Sequence, residues 1–212
     1  MWQPVSNSAG DVILESVFGP QLTQLGFARI TSRKWVRSKK PEIREAMIIE
    51  PTKGGSYHPV WGFSLDYVPH FSGSTVSWHR TPKTSRLDLR YDPIDYEADP
   101  GRSPWFISSM HGSDQMKTDA LNVAKCAIPR AIAFFNSVQE TPDLVNVFTT
   151  QMAKPAVRFS FYNYIQQPLA YAFTLARLRN HDEAFALLKQ YIEQYKVSVD
   201  ASAKLRKLIE IA

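Results

Sequence analysis

Two stretches between residues 57 and 91 alternate apolar and polar side chains with a period of two. The apolar members are Trp61, Phe63, Leu65 and Tyr67 in the first stretch and Leu87, Leu89 and Tyr91 in the second. Such alternation is typical of β-strands that place one set of side chains in a core and the other in water. The sequence therefore predicts an antiparallel sheet that is covered on one face.

Further strands are predicted on the N-terminal side of these two stretches. Phe27 to Arg37 and Ile43 to Glu50 are each predicted as one strand, joined by a turn around Lys39 to Pro41. Two polar segments are predicted as loops. Pro69 to Pro82 is one of them, and a short extra strand could form within it around Val76 and Trp78. The acidic, proline-containing run from Asp92 to Gly101 is the other and should be exposed.

Helical spacing of apolar residues marks the two ends of the chain. It predicts a helix from Asp11 to Leu25, broken or kinked at Gly19-Pro20 because proline removes a helical hydrogen bond. A long helix is predicted from about residue 113 to 138, with a kink at Pro129, and helices continue from residue 141 onward. The side of the long helix predicted to face the core comprises Leu121, Lys125, Ile128, Ile132 and Phe135.

These elements predict an α+β fold. We expect a mostly antiparallel sheet of four to six strands, with an N-terminal helix and covering helices, followed by an α-helical C-terminal part. Residues 1–140 would form the sheet domain and residues 141–212 a helical subdomain packed on it, and a single domain is the alternative. A chain of 212 residues with 44% hydrophobic residues can form the packed core that either arrangement requires.

The single cysteine, Cys126, excludes an internal disulfide and lies among apolar helical residues, which predicts a buried, inert thiol in a reducing compartment. The first residues lack the apolar core of a secretory signal, and no run of about 18 apolar residues occurs. We therefore expect a cytoplasmic protein without a membrane partner.

The formal charge of +5 is concentrated in the basic hairpin, residues 29–44. Its candidate partner-binding residues are Arg33, Lys34, Trp35, Arg37, Lys39 and Lys40. These cations could bind an acidic protein, or they could contact phosphates while Trp35 stacks on a base. A third interpretation is a solvated hairpin whose charges protect an edge strand from pairing with other chains.

Four charged residues should project from the polar face of the sheet: Asp66, Arg86, Asp88 and Arg90. Cross-strand ion pairs would account for them, and the functional alternative is a charged floor beneath a bound ligand.

Four histidines, His58, His70, His79 and His111, could be combined with Asp66 and Asp88 into a metal centre. Because no pair has the spacing of metal ligands, we predict histidines that form hydrogen bonds or lie on the surface, and no cofactor. Motifs of nucleophilic serines, phosphate loops or activated thiols do not occur, so no catalytic residue is predicted.

Two segments resemble known families. The first combines Pro20-x-Leu22-x-x-Leu25-Gly26-Phe27, a strand with Trp35 and Arg37, and Ala127-Ile128-Pro129 before Phe134-Phe135. Over residues 11–150 this order resembles an uncharacterised family of bacterial domains. The resemblance implies a small α+β cytoplasmic protein of a kind sometimes suspected of protecting against toxins, and it supplies no catalytic residues.

The second segment contains Leu178, Asn180, Glu183, Ala184 and Leu188 and is similar to the middle of a tetratricopeptide helical hairpin. Stacked repeats usually need three or more copies, so we interpret this one as an ordinary helical hairpin.

Three functional hypotheses follow. The leading one is a non-catalytic protein-interaction or regulatory module, whose partner is acidic and could be a toxin that it neutralises. The second is a nucleic-acid-binding protein that uses the basic hairpin. The third is an enzyme whose dispersed residues cannot be assembled from one sequence.

Overall fold

A computed structural model describes residues 3–72, 75–97 and 104–212. The strands are β1 (Ala28–Thr31), β2 (Lys34–Lys40), β3 (Ile43–Thr52), β4 (Ser56–Leu65), β5 (His70–Ser72), β6 (Thr75–Ser77), β7 (Leu89–Tyr91) and β8 (Ile107–Ser108). The helices are α1 (Asn7–Gln24), α2 (Pro93–Tyr96), α3 (Ser113–Asn136), α4 (Thr141–Ala153), α5 (Gln166–Arg177), α6 (His181–Gln194) and α7 (Val199–Glu210), with a 3₁₀ turn at Phe161–Asn163. The predicted α+β fold is confirmed.

The main sheet is antiparallel and has the order β1-β2-β3-β4-β7. Strand β8 pairs with the first residues of β4, opposite Ser56 and Tyr57. Strands β5 and β6 form a separate two-stranded ribbon. The expected mostly antiparallel sheet of four to six strands, with an N-terminal helix and C-terminal helices, is therefore present.

The register of the sheet places the large aromatic residues on one face. Trp35 lies opposite Met47, Met47 opposite Trp61, and Trp61 opposite Tyr91, so these four side chains share that face. Helices α1 and α3 cover it. The ring of Phe18 in α1 lies 6.2 Å from that of Trp35, and the ring of Phe135 in α3 lies 5.6 Å from that of Phe63. This face forms the main hydrophobic core.

The buried side of α3 differs from the prediction. Ile128 and Phe135 are buried as expected, whereas Leu121 is 40% exposed and Lys125 also faces solvent. The side against the sheet is formed mainly by small residues: Ala120, Ala124, Ala127 and Ala131, with Met116 and Val123. Alanines carry too little apolar volume to mark a core face in the sequence, yet they allow close packing of a helix. The predicted burial of Cys126 is wrong for the same reason, since its thiol lies on the exposed side.

Both helices that contain an internal proline are continuous. Helix α1 passes through Pro20 and α3 through Pro129, so the predicted break at Gly19-Pro20 does not occur, whereas the kinks at the two prolines stay predictions. Both prolines are exposed. The carbonyl that each leaves without a helical donor is therefore close to solvent, and packing of the apolar face compensates for the lost bond.

Two local predictions are corrected. The segment from Phe27 to Arg37 is not one strand, because a tight turn at Ser32 and Arg33 separates β1 from β2. The acidic run after Tyr91 is not an exposed loop over Asp92–Tyr96, which is buried and contains α2. The carboxylate of Asp92 caps this helix by accepting the backbone N–H of Ile94 at 3.1 Å. Glu97 is exposed as predicted, and the rest of that run, from residue 98 to 101, lies outside the described residues.

The helical C-terminal part contacts the sheet part directly. One cluster of buried apolar residues contains members of both predicted segments, and the hydroxyl groups of Tyr67 and Thr174 are 3.1 Å apart. The division near residue 140 stays a prediction. In the described ranges, no helix combines the length and the hydropathy needed to cross a membrane.

Candidate functional site

The second face of the sheet, opposite α1 and α3, carries buried polar side chains. The segment before β7 and the start of α5 cover part of it. Lys34 donates to the carbonyl oxygen of Ser85 at 2.5 Å, and Arg44 donates to the hydroxyl of the same residue at 3.0 Å. The expectation that these polar side chains face water is therefore wrong here, because the chain folds back over them and supplies their partners.

Asp88 is the centre of one polar cluster on this face. Its carboxylate is 0% exposed and accepts the backbone N–H of Leu65 at 2.7 Å, the ring N–H of His79 at 2.9 Å and the amide of Gln166 at 3.0 Å. Burial raises the pKa of Asp88, and these donors oppose the rise. The cluster ties β4, the segment after β6 and α5 together.

Two neighbouring pairs complete this region. Arg86 donates to Nδ1 of His70 at 3.2 Å, and Arg44 forms an ion pair with Asp66. Of the four charged residues expected on the sheet face, Asp66, Arg86 and Asp88 lie in this region, and none of the four pairs with another. Asp66, Arg86 and Asp88 each contact a residue that the alternation pattern does not identify, and Arg90 belongs to a second cluster.

His70, His79 and Asp88 come close enough to be tested as a metal site. One ligand atom from each lies within 4.8 Å of the others. The surroundings do not fit a cation, because the guanidinium of Arg86 donates to Nδ1 of His70 and that of Arg44 donates to the backbone carbonyl of His79. Because Asp88 already accepts three hydrogen bonds, these residues are better explained as a hydrogen-bonded anchor.

Arg90 is the centre of the second polar cluster. Its guanidinium donates to both carboxylate oxygens of Glu50, at 2.6 and 2.9 Å, and to Asp92 at 2.8 Å. The same oxygen of Asp92 lies 3.1 Å from Nε2 of His58. Hydrogen bonding to His58 and the nearby positive charges lower the pKa of Asp92 despite its burial, which raises it. Arg90 is thus neutralised within the protein.

Tyr164 connects this cluster to the helical part. Its ring lies 4.9 Å from the guanidinium carbon of Arg90, and its hydroxyl donates to Asp95 at 2.5 Å. Burial raises the pKa of both Asp95 and Tyr164, so the tyrosine stays a donor at neutral pH.

A cleft of about 650 Å³ lies above the Arg90 cluster. It is lined by Glu50, Pro51, Thr52, Lys53, His58, Arg90, Asp92, Phe106, Arg158, Phe159 and Tyr164. Five of these residues are exposed. Four of them, Lys53, Phe106, Arg158 and Phe159, we call the cleft rim, and the fifth is Pro51. Phe106 is 41% exposed and Phe159 40% exposed. The guanidinium of Arg158 lies 4.8 Å from the ring centre of Phe159. Large exposed rings beside cations are typical of binding surfaces.

The basic hairpin is mostly engaged within the protein. Trp35 is 0% exposed and cannot stack on a partner. Arg37 is buried in an ion pair with Glu45, and Arg33 forms an ion pair with Asp11 at 3.0 Å.

The lysines of this hairpin differ from one another. Lys40 donates to the carbonyl oxygen of Val138, and Lys34 is held by Ser85. Among the six residues proposed for partner binding, Lys39 alone is exposed without an ion-pair or hydrogen-bond partner in the described ranges.

The cleft rim was not identified from the sequence. Its members come from the β3–β4 turn, the segment before β8 and the segment after α4, which only the folded topology brings together. One signal was available, since Arg158 precedes a run of four aromatic residues between Phe159 and Tyr164. An aromatic run that interrupts a helical region is a poor helix-core pattern and is consistent with an exposed contact segment.

No known protein family, curated protein or solved structure matches this chain.

Proposed function

We propose that this protein is a non-catalytic binding module that recognises an acidic protein partner through the cleft rim. The observation that supports the proposal is the pairing of two exposed rings, Phe106 and Phe159, with two cations, Lys53 and Arg158, around one cleft. Neither cation has a carboxylate partner among residues 3–72, 75–97 and 104–212.

The chemistry of the rim favours a protein as the occupant. Aromatic residues and arginine anchor protein interfaces because they bury a large area and still offer a polar contact. Arg90, deeper in the cleft, is already paired with Glu50 and Asp92, so the charge available to a partner comes from Lys53 and Arg158. A carboxylate beside an apolar anchor would complement this arrangement.

The cleft rim is a different surface from the basic hairpin, to which the sequence assigned partner binding. Acidic toxins belong to the partner class, and neutralisation of a toxin in the cytoplasm is the biological role we propose. The nucleic-acid alternative loses its stacking residue, because Trp35 lies in the core.

The test begins with capture of a partner by the tagged protein from an extract of its own cells, with and without nuclease. The captured protein is then purified, and its Kd is measured against the wild type and the variant Lys53→Glu/Arg158→Glu. The control is Lys39→Glu/Lys189→Glu, which changes the net charge equally at exposed positions away from the cleft.

We expect the rim variant to weaken binding by about a hundredfold, equivalent to ~2.7 kcal/mol, and the control by less than about threefold. The variant Phe106→Ala/Phe159→Ala should weaken binding similarly without changing the charge. The proposal would be contradicted if the rim and control variants lost affinity equally, or if the captured protein disappeared after nuclease treatment.

The second candidate function is an enzyme whose general base is His58. One observation favours it: Nε2 of His58 faces Asp92 at 3.1 Å, the ring lines the cleft, and its Nδ1 has no partner among the described residues. A carboxylate that orients a histidine in this way is common in acid–base catalysis. Incubation with a metabolite extract should then give a product with wild type and His181→Gln but not with His58→Gln. Identical metabolite profiles for all three proteins would reject this candidate.

A further inference from the structure

A second cavity lies between the sheet part and the C-terminal helices and shares no lining residue with the cleft. It has a volume of about 380 Å³, and its walls come from the β2–β3 turn, the segments after β4 and β6, α5 and the end of α7. The charged members of its lining are Glu42, Asp66, Arg80 and Arg177. Ligand pockets range from about 300 to 1,000 Å³, so this cavity suits a compact ligand rather than a peptide.

Three of these four charged side chains have ionic or hydrogen-bond partners within the protein. Glu42 forms an ion pair with Arg177 at 2.7 Å, and Arg177 also donates to the backbone oxygen of Ala212 at 3.4 Å. Asp66 pairs with an arginine of β3. Within the described part of the chain, Arg80 alone among the four has no charged partner. An anionic group on a ligand would complement it.

Arg80 is held in place by two contacts that leave its terminal nitrogens available. Its Nε donates to the carbonyl oxygen of Asp66 at 3.0 Å, and its guanidinium carbon lies 4.2 Å from the ring centre of Trp78. The side chain is nevertheless exposed, so a ligand in the cavity can reach it. A guanidinium positioned in this way can bind a carboxylate through both terminal nitrogens and loses little conformational entropy when it does so.

Apolar side chains supply further walls of the cavity. Trp78 is 38% exposed and Ile211 is 79% exposed, while Leu208 is half-buried. Covering this apolar surface would stabilise a complex, because it removes the surface from water. The lining therefore favours a ligand that carries an apolar body beside its anionic group.

The acidic members of the lining limit the charge of the ligand. Glu42 and Asp66 line the same cavity, and their own partners already neutralise them. A phosphate monoester with two negative charges would lie close to these carboxylates and would find only one guanidinium without a charged partner. The site therefore favours a ligand with a single negative charge.

We propose that this cavity binds a small monocarboxylate with an apolar chain or ring, whose carboxylate pairs with the guanidinium of Arg80. The apolar part of the ligand packs against Trp78, Leu208 and Ile211. The inference does not depend on the function proposed for the cleft, because the two sites share no lining residue.

Calorimetric titration with hexanoate and phenylacetate provides the test, at about pH 8, where both acids are ionised. Their primary amides have nearly the same shape without the charge, and hexyl phosphate carries about two charges at this pH. We expect at least one acid to bind the wild type about tenfold to a hundredfold more tightly than its amide. Hexyl phosphate should bind more weakly than hexanoate.

Two arginine variants locate the site. Arg80→Gln should bind each acid and its amide with equal affinity, because the charge that distinguishes them is removed. Arg158→Gln is the matched control, since Arg158 is also exposed and lies 4.8 Å from the ring centre of Phe159. It should bind the acids as the wild type does. Loss of binding in Arg158→Gln instead would place the ligand in the cleft.

Further outcomes would overturn the proposal. They are no binding of either acid at millimolar concentration, equal affinities for acid and amide in the wild type, tighter binding of hexyl phosphate than of hexanoate, and unchanged acid binding in Arg80→Gln. If that variant does not fold, Arg80→Lys keeps the charge without the planar fork and should bind the acids more weakly than the wild type. A lower Tm of Arg80→Gln without acid binding by the wild type would show that Arg80 has only a structural role.

Discussion

His79 and Asp88 form a hydrogen-bonded pair at 2.9 Å on a face of the sheet from which water is almost excluded, since their exposures are 3% and 0%. Asp88 lies one residue before β7, whereas His79 belongs to the segment that follows β6. This contact and the hydrogen bond from Gln166 to Asp88 connect the segment after β6, the residue before β7 and the start of α5. The structural role of the pair can therefore be tested by removing its charge.

Asp88→Asn should lower the free energy of unfolding by about 3 kcal/mol. An asparagine would place an N–H group where Asp88 now accepts from Leu65, His79 and Gln166, so at least one donor would face another. Urea denaturation followed by tryptophan fluorescence measures the change. The control Glu193→Gln removes an exposed charge and should alter stability by less than about 0.5 kcal/mol. Equal stabilities of the two variants would contradict the assigned role of Asp88.

His70 should make stability depend on pH. Burial, with Arg86 and His79 beside the ring, lowers the pKa of His70 from 6.5 to about 4. In the unfolded chain the imidazole gains a proton below about pH 6.5, but in the folded protein it does so only near pH 4. The unfolded state thus binds more protons in this window, and stability falls as the pH decreases from 6.5 to 4.

We expect His70→Gln to remove this part of the pH dependence. Because the ring is about half exposed, solvent reduces the effect. Between pH 6.5 and 4 the free energy of unfolding of the wild type should fall by about 1 kcal/mol more than that of the variant. Asp88, whose raised pKa acts in the opposite direction, is present in both proteins and cancels in the difference. Denaturation curves collected at several pH values give the comparison, and parallel pH profiles would show that His70 does not titrate as described.

The periodic spacing of hydrophobic residues predicted the type of secondary structure correctly where the periodic positions hold large side chains. The strand from Trp61 to Leu65 and the helix with Ala184 and Leu188 have the predicted type because burial of one face determined their sequence. The core face of α3 was misassigned, since four alanines there give no hydrophobic signal although they pack closely.

The polar sites depend on contacts between distant residues, which one sequence does not contain. Arg90 pairs with Glu50 across 40 positions, and Gln166 reaches Asp88 across 78. The alternation of polar and apolar residues correctly placed Arg90 on the polar face, but no local pattern indicates that α5 and the preceding segment cover this face. The cleft rim was missed for the same reason, because its residues become neighbours only after the sheet and α4 are in place.

Arg37 and Glu45 provide a test of charge burial in the basic hairpin. The guanidinium of Arg37 pairs with Glu45 and donates to the carbonyl oxygen of Leu25 at 2.7 Å. Arg37→Met leaves a buried carboxylate without its main partner and should cost about 3 to 5 kcal/mol of stability. The double variant Arg37→Met/Glu45→Leu should recover most of that loss.

Arg29→Met is the matched control for this pair, because Arg29 lies in the same hairpin and its ion pair with Glu15 of α1 is exposed. It should cost less than about 1 kcal/mol. Thermal and urea unfolding of all three variants separate the cost of an unpaired buried charge from the cost of a lost exposed ion pair. A double variant as unstable as Arg37→Met would mean that the loss comes from packing rather than from an unpaired charge.

Gly62 tests how closely β4 and β7 approach each other. A Cβ atom at this position would lie 2.0 Å from the carbonyl oxygen of Leu89, which belongs to the backbone and cannot move aside without breaking the strand pairing. Gly62→Ala should therefore lower the free energy of unfolding by about 3 kcal/mol or more.

Gly19→Ala is the control. Gly19 lies within α1, and a Cβ atom there would meet nothing closer than the Cγ of Glu15 at 3.8 Å. That substitution should raise stability by about 0.5 to 1 kcal/mol, since alanine favours a helix over glycine. Chemical denaturation measures both, and a Gly62→Ala variant as stable as the wild type would show that β7 does not pack against β4 at this distance.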